Sequence, residues 1–147
     1  MLRTIHRGIR ELACSVPVRF RVRGHCMAPL IDEAAEVEVA PAPVYLPGDI
    51  ILFRSGAGRL KLHRLLGYRW HEHQWKLVTR GDAAPIHDDP VALDQVVGKF
   101  RRGKGAQGAA RVPLSDRIKA LAAFSRIVCR RLIRMASFGT SITRNRE

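Results

Sequence analysis

A chain of 147 residues with 46% hydrophobic side chains can form one domain with its own core, which excludes wholesale disorder. Its three widely spaced cysteines, Cys14, Cys26 and Cys129, do not form a disulfide framework and point to a reducing compartment. The net charge of +13 is unevenly spread: residues 1–100 carry 14 Lys/Arg against 11 Asp/Glu, while residues 101–147 carry 12 against 2.

The first segment, residues 1–15, places Leu2, Ile5, Ile9 and Leu12 at three- and four-residue steps, a short amphipathic helix that Gly8 weakens. It is basic and lacks the apolar run of a secretory signal. No window approaches the roughly 18 apolar residues that a membrane span needs. Residues 16–102 then read as one mainly β domain. Val16, Val18, Phe20 and Val22 alternate with Arg19, Arg21 and Arg23, the pattern of a strand with one apolar and one cationic face.

A turn over Gly24–Pro29 carries Cys26, and further strands are expected at 35–40, 49–54, 60–69, 74–80 and 94–101. His71-Glu72-His73-Gln74 turns a hairpin, with Trp70 and Trp75 facing each other across it. His71 and His73 share a face but have no further ligand at zinc spacing, so no metal or other cofactor is expected. Small residues over 103–113 read as a linker. Ser115 is the expected N-cap of a basic amphipathic helix over 114–138, followed by a tail at 139–147. Ile118, Leu121, Ala122, Val128, Leu132, Ile133 and Met135 fall on one half of this helix, and Lys119, Arg126, Arg130 and Arg134 on the other.

Three loop-like segments hold residues able to do hydrolytic chemistry. Cys26 lies in Gly24-His25-Cys26-Met27-Ala28-Pro29, His63 in His63-Arg64-Leu65-Leu66-Gly67, and Asp82, Asp88 and Asp89 in or after Thr79-Arg80-Gly81-Asp82. A thiol nucleophile, an imidazole base and a carboxylate that orients the base form a workable set. A free cysteine is also commonly just a small buried apolar residue, and strand histidines are often structural.

The order and surroundings of these blocks resemble type I signal peptidases, chiefly the archaeal and endoplasmic-reticulum branch, with LexA-like peptidases as more distant relatives. Pro47-Gly48-Asp49-Ile50-Ile51 and Val96-Val97-Gly98-Lys99-Phe100 extend the resemblance, which covers about residues 16–101. It implies that fold, with Cys26 standing where the family has its nucleophilic serine, His63 as general base, and Asp88 or Asp89 as the orienting acid. Asp82 is then a turn residue, and Lys61, on the same strand face as His63, is an alternative base. Gly24 stands where many of these enzymes carry an oxyanion-stabilising serine, so Gly24 and Met27 are the expected substrate and oxyanion positions. A thiol paired with His63 is expected to titrate below its ordinary value.

The implied activity is cleavage of a precursor peptide or protein tail, held extended beside a strand. The alternative is a catalytically inactive peptide-binding module on the same fold. Lys119, Arg126, Arg130 and Arg134 suit a membrane or partner surface. The helix is expected either to lie on an anionic membrane or to pack on its own domain, and nucleic acid is not an expected partner. The expected location is the cytoplasm or the inner face of the membrane.

Overall fold

The computed structural model describes residues 17–106 and 112–143, with the side chains of the second segment described as far as Arg130. Seven strands precede one helix: β1 (Val18–Arg21), β2 (Ile31–Ala40), β3 (Ile50–Arg54), β4 (Leu60–His71), β5 (Gln74–Arg80), β6 (Val91–Ala92), β7 (Val96–Ala106) and α1 (Leu114–Thr143). The strands form one sheet in the order β1-β2-β7-β3-β4-β5-β6, and every pairing is antiparallel. The expected mainly β architecture with a C-terminal helix is therefore present, while the expected N-terminal helix lies outside the described residues.

β3 is central because its sequence is apolar without interruption. Ile50 and Leu52 enter one cluster with Met27, Val37, Val39, Leu62 and Phe100, whereas Ile51 and Phe53 enter another with Leu65, Leu77 and Val96. A strand covered on both faces needs such a run rather than alternation. The Trp70–Trp75 pair forms as expected, edge to face at 5.6 Å, across a turn in which Glu72 and His73 both have positive φ.

Two boundaries differ from expectation. β7 continues to Ala106 through residues read as linker, because Gly103 and Lys104 pair with Val37 and Glu36 of β2. β6 and the 3-10 turn at Leu93–Gln95 are too short to leave a periodic signal.

A register shift between Leu65 and Gly67 in β4 turns Leu66 towards the helix. There Leu66 and Val78 pack with Ala120, flanked by Ala123, Phe124 and Ile127. Gly67 permits this approach, since a Cβ on it would stand 2.8 Å from the Phe124 ring. Arg117 locks the same end, donating to the Pro47 carbonyl at 2.9 Å and to Asp49 at 3.1 Å. Asp49 is fully buried, and Lys99 also reaches it at 2.9 Å. The helix thus docks on its own domain.

The docking face is not the expected one. Ile118 and Leu121, placed on the apolar half, are 58% and 51% exposed, and Val128 is also exposed. Ser115 lies inside the first turn, and the carbonyl of Pro113 accepts from the amides of Asp116 and Arg117. The helix runs through Gly139 to Thr143, since a single glycine weakens a helix without ending it.

Candidate active site

The Cys26 loop leaves β1 through Gly24, whose φ of +87° suits glycine. It closes on itself by bonds from Ala28 N–H to the His25 carbonyl and from Leu30 and Ile31 N–H to the Met27 carbonyl. Met27 anchors the loop in the core at 1% exposure, which leaves its backbone alone to face a ligand. Its neighbour Cys26 stays half-buried at the surface. The expected oxyanion role of Gly24 meets a competing partner, because its amide donates to Glu33 at 3.4 Å.

The segment after β5 holds this loop from the other side. Ala83 N–H donates to the Cys26 carbonyl at 3.0 Å. A Cβ on Gly81 would lie 2.6 Å from that carbonyl oxygen, 3.1 Å from the Cys26 Cβ and 3.2 Å from His63 Nε2. Cys26 Cβ and His63 Nε2 therefore both border the space that a side chain at position 81 would fill.

His63 comes from β4, opposite Ile51 of β3, and is 7% exposed. Its other ring nitrogen, Nδ1, lies 2.6 Å from Asp88 Oδ2. Thr79 donates its hydroxyl to the same oxygen at 2.9 Å, and Lys61 Nζ donates to Oδ1 at 2.7 Å. The Asp88 amide also donates to the Thr79 carbonyl, which fixes the carboxylate relative to β5. Of the two adjacent candidates, Asp88 reaches the imidazole and Asp89 is exposed. Lys61 shares the histidine's strand face, as alternation requires, and the structure gives it the carboxylate as partner.

Burial by itself would raise the Asp88 carboxyl. The hydrogen bonds from His63, Lys61 and Thr79 outweigh that and hold it at about 2, so it is ionised across the physiological range. Cys26 runs against the expected direction. Burial pushes its thiol up, its own backbone amide pulls it down, and the Asp88 and Asp82 charges add to the rise against Lys61. The Cys26 side chain is therefore a neutral thiol at neutral pH.

Asp82 shapes the turn by a two-pronged ion pair. Arg64 Nε and Nη2 donate to its two oxygens at 2.8 and 2.7 Å. Arg64 Nη1 donates to the Gly48 carbonyl at 2.9 Å and approaches Asp116 of α1 at 3.6 Å.

Two contributors were not singled out from sequence: Thr79, which helps fix Asp88, and Gly81, whose missing side chain leaves open the space that Cys26 and His63 both border. Both lie in the Thr79-Arg80-Gly81-Asp82 block, and that block was the available signal. Lys119, Arg126 and Arg130 line a separate cleft along α1, while the side chain of Arg134 lies outside the described residues. Among the described residues no group of three or more His, Cys, Asp or Glu could hold a metal. No described helix is long and apolar enough to cross a membrane. No protein-family model and no curated protein matches this chain.

Proposed function

We propose that this chain is a thiol peptidase on a signal-peptidase-like fold, acting on a precursor peptide or protein tail. The observation that carries the reading is the 2.6 Å contact of His63 Nδ1 with an ionised Asp88, which leaves Nε2 free on the side of the Gly81 space that Cys26 also borders. A carboxylate on one ring nitrogen fixes the tautomer that offers the other as a base.

With a neutral thiol at rest, His63 takes the proton as sulfur attacks, rather than sharing a pre-formed ion pair. Sulfur adds to the peptide carbonyl, and the tetrahedral oxyanion collapses to a thioester. His63 returns the proton to the leaving amine. It then deprotonates the water that hydrolyses the thioester, which regenerates the thiol. The backbone amide of Cys26, already the amide at its sulfur, is the candidate oxyanion donor in place of Gly24.

Labelling with a peptide carrying a thiol-directed electrophile tests the reading. Cys26-dependent labelling that slows strongly in His63→Ala supports it. Turnover-free, reversible binding of peptides by wild type, unchanged in Cys26→Ala, would instead make the chain a peptide-capture module.

A second reading concerns where the protein works. Leu114, Ile118, Leu121 and Val128 are exposed along one stripe of α1, and residues 101–147 are strongly basic. This combination suits peripheral contact with an anionic membrane from the cytoplasmic side.

A further inference from the structure

Between α1 and the β4–β5 face lies a cleft of about 1070 Å³, on the opposite side of the sheet from Asp88 and Thr79. Alternation explains its charge. Thr79 turns towards Asp88, so Arg80 turns the other way, to the face that α1 covers. From the helix, Lys119, Arg126 and Arg130 line the same cleft at helical spacing, and His87 stands on its loop wall. Lys119 also leans towards Asp116 at 3.4 Å. No acidic side chain lines the cleft among the described residues. Ile86 and Ile127 supply apolar wall.

The cleft is continuous with the nucleophile's loop. A neighbouring recess of about 360 Å³ shares Arg80, Lys119 and Ala123 with it and extends to Pro29 and Leu30, just after Cys26. The acids of that recess, Asp82 and Asp116, both face Arg64.

We infer that this cleft is a docking site for an acidic segment of the substrate, which runs past Pro29 and Leu30 to present its scissile bond to Cys26. Three features select this occupant. Five Arg or Lys side chains, Arg69, Arg80, Lys119, Arg126 and Arg130, with no acid in the lining call for a ligand with several carboxylates. The concave space between helix and sheet admits an extended chain, whereas a flat bilayer meets only its rim. The lining has no Phe, Tyr or Trp on which bases would stack. The inference names the substrate class for the proposed peptidase and rests on that reading for its purpose, although the binding can be measured alone.

Fluorescein-labelled hexaglutamate, titrated with the full chain and followed by anisotropy, tests it. Binding should weaken by about tenfold or more in the double variant Arg126→Glu, Arg130→Glu. It should persist in Cys26→Ala. The double variant Arg59→Glu, Arg101→Glu, which removes the same charge elsewhere, should bind as wild type does. The inference is overturned if hexaglutamate fails to bind, if both double variants weaken equally, or if only single-stranded RNA or phosphatidylserine vesicles bind in the cleft-dependent way. If hexaglutamate binds as expected but no glutamate-rich peptide is cut in a Cys26-dependent way, the cleft stands and the peptidase reading fails.

Discussion

The backbone of Gly81 lies against Cys26 so closely that a methyl group on it would stand 2.6 Å from the Cys26 carbonyl oxygen and 3.1 Å from the Cys26 Cβ. No flexible side-chain end is available to yield, because the first obstacle is backbone. Gly81→Ala should therefore displace the Cys26 loop and abolish peptide-electrophile labelling, with a stability loss of about 1–3 kcal/mol. Denaturant melts and labelling rates check both effects. Wild-type labelling in Gly81→Ala would show that the contact does not matter to the site.

Asp88 and Asp89 separate cleanly by substitution. Asp88→Asn should slow Cys26-dependent turnover by about 10²–10⁴-fold, since an amide can hold the imidazole in the wrong tautomer. Asp89→Asn, at an exposed position, should stay within about twofold. Equal effects of the two would remove Asp88 from its assigned place.

The same carboxylate shapes the acid limb of stability. Its folded value of about 2 lies below the ordinary 3.8, so it stabilises the fold fully above pH 4 and the benefit is lost as pH falls towards 2. The effect is on the order of 2 kcal/mol. Urea midpoints from pH 6 down to pH 2 should fall less steeply in Asp88→Asn than in wild type.

Cys26 should be a slow target for a small alkylating agent and a fast one for a peptide electrophile. Its thiol titrates above the ordinary 9.0, so the iodoacetamide pH–rate profile should inflect above that value. The exposed Cys129 should alkylate sooner at pH 8. An inflection near pH 6 would mean a thiolate–imidazolium pair at rest, and a different first step.

The two faces of α1 should respond differently. Phe124→Ala should cost about 2 kcal/mol of stability, because its ring fills the space over Gly67. Ile118→Ser with Leu121→Ser should leave the melt within about 0.5 kcal/mol. That double variant should instead weaken co-sedimentation with phosphatidylserine vesicles at low salt. Unchanged sedimentation would leave the exposed stripe without a membrane role.

The sequence reveals the fold and the site to different depths. Asp49-Ile50-Ile51-Leu52-Phe53 announces a doubly buried strand, and Trp70 with Trp75 announces the hairpin, because both signals are local. The choice between Asp88 and Asp89 was open because adjacent loop acids are equivalent until the Thr79 carbonyl takes the Asp88 amide. The docking face of the helix departs from its periodicity for a physical reason. Periodicity weights the bulkiest side chains, whereas close approach to Gly67 favours Ala120 and Ala123 beside a single Phe124. The direction of the Cys26 thiol depends on burial and on two distant carboxylates, which spacing along the chain does not report.

Adjacent residues on β4 look in opposite directions: His63 towards Asp88, Arg64 towards Asp82 and the start of α1. Asp82 follows directly on the glycine that packs against the Cys26 loop. A single guanidinium therefore joins the segment behind Cys26 to the base of the helix. Under the proposed docking of an acidic segment, the helix that receives it is thus tied through Arg64 to Asp82, one residue from the glycine that packs on Cys26.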